Sequence, residues 1–159
     1  MSVSGLGGEF ALIGMAESAV GIVPDKSPRE LCVQVTLDAI KDAGLTLAEV
    51  DGLITCNAFA EPIMYHSEAV AEYIGWQPRH CVTVNTGGGT TFMALNTAAA
   101  AIQAGMANTI VVAMADSLRS FMTRDQAMVV QSSSGHPHYE QPYGPVSYTH
   151  LTLPTTYGV

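Results

Sequence analysis

The middle of the chain reads CVTVNTGGGT over residues 81–90 and TFMALNTAAAAIQAG over residues 91–105, and this stretch decides the fold. The first part predicts a β-strand that leads into three consecutive glycines. The second part predicts a helix that carries no charged residue and ends at Gly105. A helix without a charged face is expected to be buried nearly all round. The glycines would then bring bare backbone N–H groups to a deep site at the helix N-terminus.

The candidate substrate-binding residues are Gly87, Gly88, Gly89 and Thr90. Helix N-termini favour negative charge, and glycine lets a ligand approach the backbone closely. One interpretation is therefore a pocket for an oxyanion or an acyl carbonyl, and the other is a tight turn where two layers touch. The run is neither a dinucleotide fingerprint nor a P-loop, because Gly-x-Gly-x-x-Gly is absent and no Lys-Ser/Thr follows.

Predicted strands and helices alternate along the chain. Strands are predicted at residues 10–15, 50–56, 82–85 and 108–115, and helices at 28–43, 67–74, 90–104 and 121–130. The first helix has a capping box at its start, and Gly44 supplies a left-handed stop. The apolar last strand is typical of a parallel strand covered on both faces. The alternation predicts an α/β fold with right-handed crossovers and layered helices.

Composition excludes several classes of partner. The chain has 14 acidic and 6 basic residues and a net charge of −8, which argues against nucleic acid and anionic membranes. Its three cysteines, Cys32, Cys56 and Cys81, show no metal-ligand spacing and are expected to be buried free thiols. We expect a cytoplasmic protein, because no signal peptide or membrane span is evident.

Residues 131–145 have loop composition and contain two candidate catalytic histidines, His136 and His138. An acid–base role for one of them competes with a surface or lid loop. A metal site is not expected, because two histidines and a nearby carboxylate on a loop lack a helix to fix them. We interpret His66 and His80 as structural.

The last residues do not resemble natural protein sequence. Residues 146–155 read VSYTHLTLPT, which matches the translation of a sequencing-library adapter, and residues 156–159 continue it. We therefore predict a natural domain at 1–145 and an adapter-derived tail at 146–159. The parent gene is expected to continue beyond Pro145, so the domain would be truncated.

Short motifs in a fixed order carry a family resemblance; they are Asp42-Ala-Gly-Leu45, Val50-Asp-Gly-Leu53, Val84-Asn85, Ala94, Ile102, Gly105 and Val111-Val-Ala113. Over residues 8–145 the chain resembles the N-terminal half of the thiolase superfamily, closest to the lipid-transfer-protein-like thiolases often labelled acetyl-CoA acetyltransferases. The resemblance implies a layered α-β-α-β-α fold of two similar halves with a buried central helix. It also implies a homodimer, an acyl-CoA substrate, and coenzyme A as part of that substrate, with no bound cofactor.

The resemblance also locates a missing group. Family members carry an acyl-accepting cysteine at the N-terminus of the central helix, and counting back from Gly105 through Ile102 and Ala94 puts that position at Gly88. Cys81 lies on the preceding strand and cannot replace it. Thiolysis and Claisen condensation by this route need a thiolate, which glycine cannot supply.

Three interpretations remain open for the full-length parent. It resembles steroid side-chain aldolases, which cleave a β-hydroxyacyl-CoA by retro-aldol chemistry and work with a small OB-fold, zinc-ribbon partner. It could instead be a non-catalytic acyl-CoA or lipid-binding homologue, or an acyltransferase whose reactive groups lie in the other half. We favour an enzyme for the parent and expect the 159-residue chain alone to be inactive.

Overall fold

The computed structural model describes residues 9–133, 136–139 and 142. They fall into two compact units, of which the first ends at Phe121 and the second begins at Met122. The elements of the first unit, in chain order, are α1 (Pro28–Asp42), a 3-10 turn (Leu47–Glu49), β1 (Gly52–Thr55), α2 (His66–Ile74), β2 (His80–Thr83), a 3-10 turn (Gly87–Gly89), α3 (Thr90–Gln103), β3 (Ile110–Ala113) and α4 (Leu118–Phe121). The second unit contains α5 (Arg124–Ser133).

The strands form a three-stranded parallel sheet in the order β2-β1-β3. Every residue of the central strand β1 is buried, whereas β2 and most of β3 are half-buried. Parallel neighbours joined through helices confirm the predicted α/β class. The strands are shorter than predicted, and β2 begins two residues before the predicted strand at 82–85.

Helix α1 begins and ends where its sequence signals stand. The Glu30 N–H donates to Ser27 Oγ at 3.2 Å, the Ser27 N–H donates to Glu30 Oε2 at 2.8 Å, and Pro28 occupies the first turn. At the other end Gly44 has φ +70°, which lets the Leu45 N–H bond to the Ile40 carbonyl at 3.1 Å. The capping box and the glycine stop are thus confirmed.

The helices cover the two faces of the sheet unequally. Cys32 of α1 and Val70 of α2 pack with Leu53 on one face, while Ala94 and Ala98 of α3 pack with Ile54 on the other. Leu53 and Ile54 are neighbours on β1, so their side chains point to opposite faces, as strand geometry requires. The sheet is therefore sandwiched between the α1/α2 layer and α3.

The Val-Asp-Gly-Leu motif at the start of β1 has a structural role in joining strands. The Asp51 carboxylate accepts N–H bonds from Asn108 at 2.8 Å and Thr109 at 2.9 Å, and lies 3.5 Å from the Arg79 guanidinium. A Cβ on Gly52 would lie 2.7 Å from Ile110 Cγ1, so the approach of β1 to β3 requires glycine there. This motif fixes the register of β1 against β3.

Two expectations are wrong. Residues 10–15 form no β-strand, because no described strand pairs with them, and Leu12 is 85% exposed. Helix α3 is not buried all round: Ala94, Ala98 and Ala101 are buried, whereas Phe92 is 74% exposed. Among the described residues one sheet covers α3, so only the alanine face has a layer to pack against.

The second unit is described by itself. Helix α5 replaces the later part of the predicted helix at 121–130 and extends it to Ser133, and residues 137–139 form a turn. The predicted boundary at Pro145 and the tail at 146–159 lie outside the described residues, so both stay predictions.

Candidate functional site

The glycine run forms an exposed 3-10 turn at the start of α3. Gly87 has φ +65°, a left-handed conformation, and the Thr90 N–H donates to its carbonyl. All three glycines are exposed. The turn thus brings the first N–H groups of the helical segment, which have no intrahelical acceptor, to an open surface rather than to the deep site expected.

Thr90 holds this turn together. Its hydroxyl donates to the Gly87 carbonyl at 2.6 Å and accepts the Thr86 N–H at 2.9 Å, and the residue is buried. Both bonds lie within the turn, so the hydroxyl is engaged in fixing the backbone. The Thr90 hydroxyl, one of the predicted binding groups, is therefore already engaged within the turn.

Space and electrostatics at the turn both suit an anionic oxygen. A Cβ on Gly89 would meet no heavy atom within 4 Å. Helix α3 has 14 residues and no acidic residue in its first turn, so its positive N-terminal dipole is not neutralised from within. A developing oxyanion placed here would be stabilised by backbone N–H groups without a metal ion.

The three cysteines are free thiols, of which Cys32 is buried and Cys56 and Cys81 are half-buried. Burial raises the pKa of Cys32 to about 12 and also raises the pKa of Cys56 and of Cys81, which disfavours the thiolate in each. Cys81 packs in the α1/α2 layer, on the face of the sheet opposite α3. This placement agrees with the prediction that Cys81 does not replace the cysteine absent at Gly88.

His66 is buried more completely than its sequence position indicated. Its Nδ1 lies 3.0 Å from Thr55 Oγ1 at the end of β1, and its Nε2 has no hydrogen-bond partner among the described residues. Burial lowers its pKa, and the nearby charges of Glu61, Arg29 and Asp116 act in mixed directions. It was interpreted as structural, and no local motif marks its burial.

His136 and His138 lie on the turn of the second unit. Their ring centroids are 5.8 Å apart, and the His138 N–H donates to His136 Nδ1 at 3.2 Å. Both are exposed. The Tyr139 ring lies tilted at 44° to the His136 ring, with the ring centroids 4.8 Å apart. Their proposed acid–base role stays a prediction.

Within residues 9–133, 136–139 and 142, no cluster of three or more histidine, cysteine or acidic side chains has the geometry of a metal site. No helix in the described part of the chain is long and apolar enough to cross a membrane.

Comparisons with known proteins bear on this architecture. No family model matches the chain. A curated relative, the 17-hydroxy-3-oxo-4-pregnene-20-carboxyl-CoA lyase of Mycobacterium tuberculosis (strain ATCC 25618 / H37Rv), is 27% identical over 145 residues, covering 84% of this chain and 36% of the lyase. The chain thus spans about a third of that relative.

Two solved structures share the fold. The Ltp2-ChsH2(DUF35) aldolase matches with a TM-score of 0.54 and 31% identity over 65% of this chain and 27% of that chain. The 3-oxoacyl-[acyl-carrier-protein] synthase III of Aquifex aeolicus VF5 matches with a TM-score of 0.55 and 18% identity over 65% of this chain and 35% of that chain, which shows the fold alone. The resemblance drawn from sequence is confirmed: the chain has a thiolase-like α/β fold and is similar to a steroid side-chain lyase and to the Ltp2-ChsH2(DUF35) aldolase.

Proposed function

We propose that this chain supplies the glycine-turn half of an enzyme that cleaves a carbon–carbon bond of a β-hydroxyacyl-CoA by retro-aldol chemistry. The observation that carries the proposal is the exposed 3-10 turn at Gly87–Gly89. The family resemblance implies that Gly88 of this turn occupies the position of an acyl-accepting cysteine. Similarity to a carboxyl-CoA lyase and to an aldolase supports this reaction class.

Retro-aldol cleavage requires a general base and a site that stabilises an oxyanion. A base removes the proton of the β-hydroxyl group, the Cα–Cβ bond breaks, and the hydroxyl carbon becomes a ketone or aldehyde. The electron pair of the broken bond moves into the acyl-CoA as a thioester enolate, which is then protonated at Cα. The N–H groups of the glycine turn would hold the enolate oxygen, and no acyl-enzyme forms.

The proposed partners follow from the same relatives. The name of the aldolase joins Ltp2 to ChsH2(DUF35), and we propose that the natural protein likewise works with a small OB-fold, zinc-ribbon partner. Homodimerisation is part of the proposal. The base is assigned to groups outside the glycine turn.

The first experiment assays the protein expressed from the resequenced source gene on a β-hydroxyacyl-CoA, in the presence of the zinc-ribbon protein proposed as its partner. We expect release of a ketone or aldehyde together with a shortened acyl-CoA. Release of neither product, while the acyl-CoA still binds, would replace the lyase by the binding interpretation.

A matched pair of variants then tests the turn itself. Because a Cβ on Gly89 meets open space, both Gly89→Ala and Gly89→Asp are expected to fold. An aspartate at a helix N-terminus stabilises the helix, yet its charge repels an enolate. We expect Gly89→Asp to lower kcat by about a hundredfold relative to Gly89→Ala, the size of losing one oxyanion donor. Equal kcat values would refute an oxyanion at this turn.

The binding alternative is favoured by the same missing thiol, because an acyl-CoA could rest on the turn without reacting. The acyltransferase alternative requires a reactive group from elsewhere, since burial raises the pKa of the described thiols. We expect Gly88→Cys to show no thiolysis by itself, because a base near that sulfur is also needed. A gain of thiolase activity in this variant would favour the acyltransferase.

A further inference from the structure

Buried polar atoms without hydrogen-bond partners lie together at the carboxyl edge of the sheet. The strands are parallel and end at the same edge, so the residues that follow β1 and β3 lie side by side there. Among the described residues, five buried side-chain atoms have no hydrogen-bond partner. Four of them belong to residues at this edge: Arg29 Nε, Asn57 Oδ1, His66 Nε2 and Ser117 Oγ. Buried polar atoms are nearly always hydrogen-bonded, so four such atoms in one region require an explanation.

Two carboxylates hold the loop at residues 57–61 over this edge. The Phe59 N–H donates to Asp116 Oδ2 at 2.7 Å, and the next N–H of the loop donates to the other oxygen of that carboxylate at 3.3 Å. The Arg29 N–H donates to Glu61 Oε2 at 3.2 Å, and the Arg29 guanidinium lies 3.5 Å from Glu61 Oε1. The loop is thereby tied to the residues that follow β3 and to the first turn of α1.

His66 brings these contacts into one region. Its Nδ1 lies 3.0 Å from Thr55 Oγ1, at the end of β1. The charges of all three side chains that hold the loop act on its imidazole, which therefore lies near each of them. His66 and Ser117 are both buried, and Ser117 directly follows the aspartate that binds the loop. The unpartnered atoms of these two residues are thus enclosed between the loop and the ends of β1 and β3.

The four atoms match a neutral ligand that both donates and accepts hydrogen bonds. Arg29 Nε can only donate, Asn57 Oδ1 can only accept, and Ser117 Oγ can do either. Burial lowers the pKa of His66, which favours the neutral imidazole, and a neutral imidazole that donates from Nδ1 accepts at Nε2. The Arg29 guanidinium is already paired with Glu61, so an ion would bring an uncompensated charge into this region.

We propose that ordered water occupies the space between the loop at residues 57–61, His66 and Ser117, and bridges the side chains there as a fixed part of the structure. A water molecule accepts two hydrogen bonds and donates two, and the four atoms divide into two donors and two acceptors. The bridge links the residues after β1 to those after β3, and so supports the loop that Asp116 holds. This inference is independent of the proposed reaction.

The hydroxyl group of a small organic molecule has the same chemistry and is the competing occupant. To reach the site, such a molecule would have to displace the loop, because the exposed fraction is 0% for His66 and 4% for Ser117. Internal water of this kind is a regular component of folded proteins and makes about three hydrogen bonds to buried polar groups. Water therefore fits the enclosed position, whereas a hydroxyl group on a larger molecule does not.

Nuclear Overhauser measurements between water and protein protons test the proposal on the 159-residue chain. We expect a cross-peak between water and the carbon-bound Hε1 proton of His66, with the sign that marks long-lived water. The exposed His138 ring is the control, and only short-lived hydration is expected there. The same His66 cross-peak should persist when ethanol is added. Absence of the cross-peak, the sign of short-lived water, or its replacement by a cross-peak to ethanol would overturn the proposal.

A double-mutant cycle in urea gives an independent measurement. Asn57→Ala and Ser117→Ala each remove one anchor of the shared water, and removal of the second anchor then costs less. We expect the unfolding constant of the double variant to lie about fivefold below the value that the two single effects predict. As the control, Ser117→Ala is combined with Thr97→Ala, whose hydroxyl bonds to the Met93 carbonyl within α3, and this pair should be additive. Equal coupling in the two pairs, whether zero or not, would contradict a water shared by Asn57 and Ser117.

Discussion

Replacing Gly87 by alanine tests whether the turn before α3 depends on a left-handed residue. Gly87 has φ +65°, and a Cβ built there meets no heavy atom within 4 Å. Any cost of the substitution must therefore come from the backbone conformation, because nothing stands in the way of the methyl group. The same methyl group at Gly89, where φ is −88°, meets neither strain nor a neighbour.

The magnitude follows from two opposing terms. A left-handed conformation costs a non-glycine residue about 1–2 kcal/mol. Losing glycine also reduces the entropy of the unfolded chain, which stabilises by about 0.4–1 kcal/mol. We therefore expect Gly87→Ala to lower the free energy of unfolding by about 1 kcal/mol. Asparagine tolerates this conformation better, so Gly87→Asn should cost less, and Gly89→Ala should change stability by less than about 0.5 kcal/mol.

Urea denaturation of the first unit measures these differences, with the slope of the transition checked for constancy among the variants. The expected order of stability is wild type and Gly89→Ala first, then Gly87→Asn, then Gly87→Ala. Equal losses for Gly87→Ala and Gly89→Ala would show that the strain assigned to Gly87 is absent. An asparagine as costly as alanine would mean that side-chain volume, rather than φ, limits the turn.

Three further predictions concern the sheet and its buried histidine. Burial alone would raise the pKa of Asp51, but the N–H groups of Thr109 and Asn108 outweigh burial, and the net shift of the pKa is downward. Asp51→Ala should lower the free energy of unfolding in urea by about 2 kcal/mol, and an exposed aspartate-to-alanine change serves as the control. Gly52→Ala should lower the free energy of unfolding by about 1–3 kcal/mol, because the new methyl group would lie 2.7 Å from Ile110. In a double-mutant cycle, adding Ile110→Ala should recover part of that loss. No recovery would mean that backbone movement, and not the Ile110 side chain, accommodates the methyl group. Burial lowers the pKa of His66 from its ordinary value of 6.5, so the unfolded chain binds the proton more readily, and stability is lost as pH falls below that value by up to about 1.4 kcal/mol per pH unit. The free energy of unfolding, measured at about pH 7.5 and pH 5.5, should fall between these values in wild type and not in His66→Gln. If the variant loses as much stability as wild type between these two pH values, the loss belongs to other titrating groups.

Local signals in the sequence were sufficient for α1, α2 and α3, but not for every strand or for α4 and α5. Ser27, Glu30 and Gly44 act through neighbours in the chain, so the ends of α1 could be predicted. The apolar run at residues 10–15 has strand composition, yet a strand exists only when another strand supplies hydrogen bonds. Pairing depends on distant residues, and none of the described ones pairs with this segment.

The site shows the same division between local and distant causes. The position of the glycine turn between a strand and a helix was predictable, because strand and helix patterns meet there. The engagement of Thr90 within the turn depends on the φ of Gly87, and the burial of His66 depends on Thr55, a residue of another element. Helix α3 was expected to be buried on all sides and is not. A sequence without charged residues permits burial of a helix, whereas burial itself requires a second layer of structure against its other face.

The positions of the thiols and the groups of the glycine turn bear together on the proposed reaction. An acyl-enzyme needs a thiolate beside the N-terminus of α3, whereas burial raises the pKa of Cys81 and its side chain packs on the opposite face of the sheet. The turn instead offers backbone N–H groups, which can stabilise a negative oxygen but cannot form a bond to carbon. A retro-aldol cleavage sends its electron pair to the thioester oxygen and leaves the acyl group on coenzyme A throughout. The proposed lyase reaction would therefore require only backbone N–H groups from this turn. Acyl transfer through the same position would require a nucleophilic side chain, which Gly88 lacks.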